Sequence, residues 1–308
     1  MKRFMERIRR SMHQTRDMPA RLEQAESIDG QNVSQPGANA ARYVITDIGG
    51  APYRLESDDD YLEHIQGAFE PHMVELFDTL VRLPDTVLDI GANIGCTSIL
   101  FGSRARQVVS FEPSPSTYLL LEKNVKAAGL ENVMLNNLGL GKNPGRFELT
   151  FSPNNRSGGF VSNQVTASAG HQVEAIEIVR GDDFLRHAGI GAIDFIKIDV
   201  EGFERDVIEG LRETLAASAP VVTLELNHWC LNVLQRTSVP DFFDFLRSVF
   251  PCLYAVDIDD IRNLHDGDDA YHVMFSHVAG GFRYPNIVGA FHPDRLEAFG
   301  AKYGRSIA

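Results

Sequence analysis

The amino-acid sequence predicts an α/β fold, a doubly wound Rossmann-like sheet that is mostly parallel, and three observations carry this prediction. Short runs of apolar residues, many of them β-branched, such as Val87 to Ile90, alternate with segments of helical apolar spacing, a pattern typical of parallel strands joined by covering helices. A glycine turn, "DIGANIG" from Asp89 to Gly95, follows the first of these strands. An acid, Glu112, ends the next strand. In such sheets the ligand lies beyond the carboxyl ends of the strands, beside the first strand.

The composition describes a globular protein with enough length for a sizeable core. The chain has 308 residues, 44% hydrophobic and 23% charged, which is typical of soluble domains. A formal net charge of -13 argues against nucleic acid as the main partner, because phosphate binding requires a basic surface. The sequence offers no run of 18 apolar residues and no secretory signal, so we expect no transmembrane segment and a cytoplasmic location.

The cysteine pattern predicts reduced thiols. Cys96, Cys230 and Cys252 form no CxxC pair and leave one cysteine over after any pairing. Such a pattern supports neither a disulfide framework nor a zinc site. We therefore expect no structural metal.

The chain divides into a tail and one domain. Residues 1–41 are expected to be a flexible basic tail and polar linker, and residues 42–308 a single domain. Within the domain we distinguish an N-terminal lead-in at 42–85, a core at 86–230 that binds the ligand, and C-terminal strands with an acceptor-side segment at 231–308.

The tail is strongly basic at its start. Phe4, Ile8 and Met12 would form a thin apolar stripe on a helix beside a basic face. A loose solvated tail is the favoured interpretation, and a weak contact with a membrane surface or a partner is the alternative. The charged residues of positions 1–16 are Lys2, Arg3, Arg7, Arg9, Arg10 and Arg16 against Glu6.

Local signals predict the remaining elements in order. "AFEPHMVELFDTLVRL" has helical apolar spacing ahead of the glycine turn. In "SPSTYLLLEKNVKAAG" the N-cap is Ser114, the first helical residue is Pro115, and Gly129 follows the helix end. "NVMLNNLGLG", "RFELTF" and "VEAIEIVRGDDFL" are interpreted as strands or strand-to-helix junctions. "AIDFIKIDVEGFE" is a strand that runs into a helix, and "PVVTLELNHWC" is a further strand.

The glycine turn favours a nucleoside over a dinucleotide. A pyrophosphate site requires GxGxxG, whose middle glycine makes room for the phosphates, and here Asn93 occupies that position. Glu112 follows Gly91 by about 21 residues, the spacing at which an acid accepts both ribose hydroxyls, and its charge repels a 2′-phosphate. The combination suits S-adenosylmethionine, because a cationic sulfonium favours a pocket rich in carboxylates.

Three motifs resemble those of the FkbM-type S-adenosylmethionine-dependent methyltransferases. They are "VLDIGANIG", "VVSFEPSP" and "IDFIKIDVEGFERDVIEG", and the resemblance extends from about Phe69 to about Asn227 and weakly to "PNIVGAF" near the C-terminus. It implies a seven-stranded methyltransferase sheet with one antiparallel strand near the C-terminus, the sixth strand at "CLYAV" and the seventh at "YHVMFS". It also implies methyl transfer to oxygen, usually a hydroxyl of a natural product or glycan.

The resemblance also implies roles for individual residues. Glu112 would hold the ribose, and Asp199 would face the methyl group and the acceptor. Asn136, Asn137 and Leu138 would border the adenine. The methionine portion would be held by Asp89, Gly91, Asn93 and Gly95.

Candidate proton acceptors cluster at predicted strand ends. An alcohol acceptor must lose a proton, so a base within hydrogen-bond reach would help. The candidates are Asp199, Glu201 and His228, with Glu225 beside them. Asp199 has the alternative roles of orienting the cofactor or capping the following helix, and His228 that of a loop histidine without a task. A magnesium ion on these carboxylates is a minor alternative.

The sequence therefore predicts an O-methyltransferase for a hydroxyl of a glycan, lipid or natural product. Two alternatives stay open: a non-catalytic S-adenosylmethionine-binding or interaction module, and a nicotinamide-dependent oxidoreductase. The acceptor itself is not encoded in any motif, because acceptor specificity lies in loops. Residues 152–164 and the segment after Asp260 are the candidate lid and acceptor walls.

Overall fold

The computed structural model of the chain describes residues 42–162, 164–165 and 170–307. The predicted tail and linker lie outside the described residues. The strands of the described residues are β1 Arg42–Ile48, β2 Ala51–Ser57, β3 Gly67–Ala68, β4 Thr86–Ile90, β5 Gln107–Phe111, β6 Val133–Asn136, β7 Gly139–Gly141, β8 Gly145–Ser152, β9 Asn155–Phe160, β10 Gln172–Arg180, β11 Phe195–Ile198, β12 Val221–Glu225, β13 Cys252–Val256, β14 Ile261–Asn263 and β15 Asn286–Ala290.

The helices flank these strands in the order that the alternating pattern predicts. A 3₁₀ turn at Pro293–Leu296 precedes the last helix. The α-helices of the described residues are α1 Tyr61–His64, α2 Pro71–Leu80, α3 Cys96–Gly102, α4 Pro115–Ala127, α5 Gly181–His187, α6 Glu204–Gly210, α7 Arg212–Ser218, α8 His228–Leu234, α9 Val239–Arg247, α10 Gly267–Val278 and α11 Glu297–Lys302.

The central sheet confirms the α/β prediction. Its strand order is β14-β13-β15-β12-β11-β4-β5-β6. The run from β12 to β6 is parallel throughout, whereas β15 is antiparallel to both of its neighbours. The sheet has eight strands in the described part of the chain rather than the expected seven, because β14 folds back antiparallel on β13 at one edge.

The predicted position of the seventh strand was wrong. "YHVMFS" lies within α10, where the side chain of Asp266 caps the helix by accepting from the amides of Asp268 and Asp269. The buried residues Ala270 and Val273 are three apart, as a helix requires. The antiparallel strand between β12 and β13 is instead β15, with the sequence "NIVGA". The sixth strand, "CLYAV", is β13 as predicted.

Both faces of the central sheet are covered. Adjacent residues of a strand point to opposite faces, so Val87 belongs to the core under α2, α3 and α4, and Leu88 to the core under α6, α9 and α10. On the first face Phe77, Phe101 and Phe195 meet edge to face at centroid distances of 4.9 to 6.0 Å. This double coverage explains why the central strands consist of continuous apolar runs.

Helix α4 ends as its sequence predicts. The Ser114 hydroxyl accepts a hydrogen bond from the Thr117 amide at 3.2 Å, and Pro115 opens the helix. Gly129 follows the C-cap with a φ of +70°, the left-handed conformation that glycine adopts without strain. These boundaries place Glu112 and Ser114 between β5 and α4, at the carboxyl edge of the sheet.

Two smaller sheets accompany the central one. One has the order β7-β10-β8-β9, with "RFELTF" in β8. The segment "NVMLNNLGLG" supplies β6 of the central sheet and β7 of this one, and "VEAIEIVRGDDFL" runs from β10 into α5. The other pairs β1 with β2 and β3 in the predicted lead-in. The strand β9 falls in the candidate lid, 152–164. Across residues 42–307, leaving out 163 and 166–169, no helix is both long and apolar enough to cross a membrane.

Candidate functional site

The glycine turn between β4 and α3 is shaped by the neighbouring strand end. Gly91 has a φ of +79°, and a Cβ atom built on it would lie 1.9 Å from the carbonyl oxygen of Asp199. Gly95 has a φ of +103°, and a Cβ atom there would lie 2.9 Å from a methyl carbon of Leu121 in α4. The first glycine therefore permits the contact between β4 and the β11 end, and the second permits close helix packing.

Glu112 is held by two backbone amides, one in the glycine turn and one just after Glu112 itself. Its Oε2 atom accepts from the amide of Asn93 at 3.0 Å and its Oε1 atom accepts from the amide of Ser114 at 3.0 Å. Asn93 has a φ of +50°, which directs its amide to this acid. Each carboxylate oxygen has two lone pairs, so one on each oxygen is left for a ligand. Burial raises the pKa of Glu112 to about 7.

Asp89 lies beneath the turn rather than at its surface. Its side chain is fully buried, and its Oδ2 atom accepts hydrogen bonds from the hydroxyls of Thr97 and Ser98 at 2.8 and 2.7 Å. The Oδ1 atom has no hydrogen-bond partner in the described residues and lies 3.6 Å from Lys197 Nζ. In this geometry Asp89 fixes the first turn of α3, and its contact with a methionine portion stays a prediction.

Lys197 is the buried cation at the centre of the site. Its ammonium donates to the carbonyl oxygen of Gly91 at 2.8 Å and lies 3.6 Å from both Asp89 and Asp199. Burial disfavours the charge, but the carboxylates of Asp199, Asp89 and Glu225 together raise the pKa of Lys197 above its usual value. Lys197 is therefore an ion-pair partner of both acids.

Asp199 offers an accessible carboxylate. It follows β11, and its side chain is 46% exposed, in contrast to the enclosed Asp89. Its amide donates to the carbonyl oxygen of Ile90 at 3.1 Å, which fixes the strand ends side by side. An exposed acid next to the glycine turn is where a cationic ligand would be stabilised.

Glu201 lies in a strained turn that faces α8. It has a φ of +50°, and the following Gly202 has a φ of +98° with Cys230 backbone atoms 3.1 Å from a hypothetical Cβ. The Oε2 atom of Glu201 accepts from Asn227 Nδ2 at 3.3 Å and from the Cys230 thiol at 3.1 Å. Burial first, and then the nearby Glu201, raise the pKa of the Cys230 thiol well above its usual value. The structure therefore brings Glu201 to the start of α8.

His228 is the first residue of α8 and follows Asn227, which contacts Glu201. Its ring lies 4.4 Å from the ring of Phe282 and 5.0 Å from the ring of His277, centroid to centroid. Burial lowers the pKa of His228, which favours a neutral imidazole. Its buried Nδ1 atom has no hydrogen-bond partner among the described residues. A neutral imidazole is able to take up a proton.

The predicted adenine-side residues join the ends of β5 and β6. Asn137 Nδ2 donates to the carbonyl oxygens of Glu112 and Pro113 at 2.9 and 3.1 Å, and Asn136 Nδ2 donates to that of Ser110 at 3.1 Å. Leu138 is half-buried against the core of the second sheet face. These residues lie beside the Glu112 strand end, and their contact with an adenine stays a prediction.

Sequence reasoning missed the side chains that fasten the sheet β7-β10-β8-β9 to the loop after β2 and to the start of α4. Arg156 of β9 donates to both carboxylate oxygens of Asp58, at 2.7 and 2.8 Å. The Ser114 hydroxyl donates to Glu174 of β10 at 2.6 Å. Both contacts join segments far apart in the chain, and no local pattern signals them. His277, which contacts His228, was missed because its segment was interpreted as a strand.

The residues fit an adenosyl ligand, on two observations. Glu112 is fixed with one lone pair of each oxygen left for a ligand, which suits a pair of ribose hydroxyls. Asp199 is the accessible acid of the Lys197 cluster, which suits a sulfonium. In the described ranges, no group of three or more His, Cys, Asp or Glu side chains is placed to hold a metal ion.

Comparison with known proteins identifies one family. The sequence model described as "Methyltransferase FkbM domain" matches residues 89–264. The chain is similar to the hexuronic acid methyltransferase AglP of Haloferax volcanii, with 28% identity over 137 residues that cover 42% of this chain and 52% of that protein. It is 30% identical to the 2-O-methyltransferase NoeI of Sinorhizobium fredii over 162 residues, 47% of this chain and 65% of that protein.

Two further matches have lower identity. Methyltransferase 1 of Beauveria bassiana is 26% identical over 144 residues, which are 41% of this chain and 57% of that protein. The matched regions thus span about half to two thirds of the length of these relatives. A crystal structure of methyltransferase FkbM from Methylobacillus flagellatus aligns with a TM-score of 0.37 and 19% identity, over 55% of this chain and 38% of that chain.

Proposed function

This chain belongs to the FkbM family of S-adenosylmethionine-dependent methyltransferases, and from that premise we propose that it methylates oxygen. The cofactor would be S-adenosylmethionine, bound beyond the carboxyl ends of β4 and β5. The acceptor would be a hydroxyl of a glycan, lipid or natural product.

One observation carries the cofactor assignment. Glu112 is fixed by two backbone amides, those of Asn93 and Ser114, so that its carboxylate is oriented before any ligand arrives. A preoriented carboxylate accepts two hydroxyls without the entropic cost of ordering a side chain. The requirement for two neighbouring hydroxyls selects a ribose, and the negative charge of Glu112 would repel a 2′-phosphate.

The cationic end of the ligand would lie near Asp199. Of the two acids beside Lys197, only this one is accessible, with a side chain 46% exposed. Lys197 holds the Gly91 carbonyl and both acids in place, and the pair of carboxylates leaves the cluster with a net negative charge. We infer that this charge favours a sulfonium over a neutral thioether.

The chemistry divides between the cofactor and the chain. S-adenosylmethionine, when bound, supplies an electrophilic methyl group on a good leaving group. The chain must hold the acceptor oxygen in line and remove its proton. His228 is the base we favour, because burial lowers its pKa and so keeps the imidazole neutral at neutral pH. Asp199 and Glu201 would orient the acceptor and the helix that carries His228.

A sugar hydroxyl is the acceptor we favour among the three classes. Two relatives bear names that describe a hexuronic acid methyltransferase and a 2-O-methyltransferase. Their identity to this chain is at most 30%, so the sugar and the position of its hydroxyl are open to experiment. We also propose a cytoplasmic location, which agrees with three buried, unpaired cysteines.

The proposal is tested in two steps. Mass spectrometry of freshly purified protein should detect an adenosyl ligand, and calorimetry should show binding of S-adenosylmethionine and of its demethylated product. Transfer of labelled methyl to a panel of uronic acids, neutral sugars and lipid extracts should then identify the acceptor class. Binding without transfer to any hydroxylated compound would favour a non-catalytic binder, and binding of NAD in place of the adenosyl ligand would refute the assignment.

A further inference from the structure

His277 is a buried histidine whose two ring nitrogens both make hydrogen bonds. It lies near the end of α10 and is fully enclosed. Its Nδ1 atom is 2.7 Å from the carbonyl oxygen of Arg283. Its Nε2 atom is 3.3 Å from the backbone nitrogen of His228, the first residue of α8.

These two contacts determine the tautomer of the imidazole. A carbonyl oxygen only accepts, so Nδ1 must carry the proton that is donated to Arg283. A backbone amide only donates, so Nε2 must present a lone pair to His228. A neutral imidazole has one donor and one acceptor, and the two partners use both. Burial lowers the pKa of His277 to about 4, in agreement with the neutral form.

The ring of His277 also packs against the ring it supports. The imidazoles of His228 and His277 are perpendicular, with an interplanar angle of 87° and a centroid distance of 5.0 Å. Phe282 completes the group at 4.4 Å from His228 and 5.2 Å from His277. The amide of Phe282 donates to the carbonyl oxygen of His277 at 3.1 Å, and its backbone has a φ of +61°. The three rings thus form one fixed cluster.

The start of α8 is held from two sides as a result. On one side Asn227, its N-cap, donates to Glu201 at 3.3 Å and accepts from the amide of Cys230 at 3.2 Å. On the other side His277 accepts from the amide of His228. His228 therefore lies between the turn that follows β11 and helix α10. Of these two contacts, only the one from His277 in α10 is made to the backbone amide of His228 itself.

We propose that His277 is a positioning residue that fixes the backbone and the ring of His228 for proton removal from the acceptor. This inference rests on the proposed function, since it assumes that His228 is the base. Placement of a base is sensitive to small displacements, because a shift of about 1 Å is able to lower a rate about 100-fold. Removing the Nε2 contact should therefore lower kcat and leave cofactor binding intact.

Two substitutions separate positioning from simple packing. His277→Gln places a side-chain oxygen close to the position of Nε2 and keeps an acceptor for the amide of His228. His277→Asn places its amide nitrogen close to Nδ1 and keeps the donor to Arg283, but loses the acceptor. Each variant loses one of the two hydrogen bonds, so each is the control for the other in a thermal unfolding measurement.

Positioning predicts unequal results. The glutamine variant should keep kcat within about threefold, and the asparagine variant should lose at least about tenfold in kcat with little change in the KM of S-adenosylmethionine. Equal kcat losses in the two variants would overturn the inference.

A spectroscopic measurement keeps the test independent of activity. Histidine side-chain NMR of the wild type, assigned with His228→Asn, should show a protonated Nδ1 and an unprotonated Nε2 at His277. Both variants remove the ring of His277 and so shift the His228 ring signals, but these should stay a single sharp set in the glutamine variant and broaden or divide in the asparagine variant. The opposite tautomer at His277 would overturn the positioning role even if neither variant folds. If the wild type transfers no methyl group, the proposed function fails, and these ring signals then decide only whether His277 fixes the ring of His228.

Discussion

The ammonium of Lys197 donates a hydrogen bond of 2.8 Å to the carbonyl oxygen of Gly91. The two residues belong to different motifs, which are separated by 106 positions in the chain. The bond ties the glycine turn to the end of β11, and the same ammonium lies 3.6 Å from Asp89 and from Asp199. The two motifs are therefore one structural unit with a single buried cation.

Replacing Lys197 with methionine should destabilise this unit strongly. Methionine fills the space of the side-chain stem but leaves Asp89 as a buried carboxylate without a cation. Removing one partner of a buried ion pair costs about 3 to 5 kcal/mol, which urea unfolding would detect. Affinity for S-adenosylmethionine should also fall, because the Gly91 carbonyl loses its donor.

Lys123→Met is the matched control for that change. Lys123 is 61% exposed and lies 3.5 Å from Glu56, and exposed pairs contribute about 0 to 1 kcal/mol. Similar unfolding midpoints for the two variants would contradict the central role of Lys197.

The turn glycines allow a second paired experiment. Gly91→Ala and Gly129→Ala both place alanine at a positive φ, +79° and +70°. At Gly129 no atom lies within 4 Å of the new Cβ, whereas at Gly91 the carbonyl oxygen of Asp199 lies at 1.9 Å. We expect a cost of about 1 kcal/mol at Gly129, and loss of soluble folded protein or of S-adenosylmethionine binding at Gly91.

Circular dichroism melts and binding calorimetry measure both effects. An alanine at 91 that is tolerated as well as the one at 129 would show that the β4 and β11 ends are not packed in this way.

Glu112→Gln should weaken S-adenosylmethionine binding. Each carboxylate oxygen accepts from one backbone amide, but glutamine offers only one acceptor oxygen, so its NH₂ group must face the amide of Asn93 or of Ser114. Hydrogen bonds to charged groups contribute about 1.5 to 3 kcal/mol, and we expect calorimetry to show an affinity about 10 to 100 times weaker.

Glu122→Gln is the control, because that residue is exposed on α4 and would not contact the ligand. Unchanged affinity in the Glu112 variant would remove the ribose assignment. Equal losses in both variants would point to an indirect effect of charge.

Much of the fold could be predicted because its signals are local. The helix cap at Ser114 and the end at Gly129 depend on residues within one turn, and the buried strands are continuous apolar runs. The predicted position of the seventh strand was wrong because the signal there is not local. Its sequence contains Gly289, whose missing side chain makes room for the ring of Phe250, since a Cβ there would lie 2.7 Å from the ring. A glycine weakens the strand signal. The ring of Phe250, which requires a glycine at position 289, lies 39 residues away in the chain.

The site could be predicted as a set of residues but not as a set of contacts. The spacing of Gly91 and Glu112 indicated an acid at the second strand end, and the structure places it there. Three features of the site are tertiary contacts. They are the hydrogen bond from the backbone amide of Asn93 to Glu112, the contacts of the Lys197 ammonium under the turn, and the hydrogen bond between His228 and His277. They depend on how distant segments meet, which residue spacing does not encode.

Glu204 gives a prediction for stability as a function of pH. Its Oε1 atom accepts from the amides of Val200 and Gly202 at 3.3 and 3.1 Å, and burial raises its pKa to about 7. The folded protein therefore holds a proton that the unfolded chain has already released above a pH of about 4.5. Between that pH and about 7 the free energy of unfolding should fall, by at most roughly 1.4 kcal/mol per pH unit for one such group.

Glu204→Gln should remove this contribution. Glutamine keeps the acceptor oxygen for both amides and never ionises, so at pH 5 it should match the protonated wild type, and at pH 8 it should melt at a higher temperature. Part of the slope should persist in the variant, because burial also raises the pKa of Glu112 to about 7. Thermal melts from pH 5 to pH 8, with the exposed Glu131→Gln as control, measure the difference. Parallel curves for wild type and variant would mean that Glu204 is ionised in the folded protein throughout this range, and that the turn carrying Glu201 stabilises the charge.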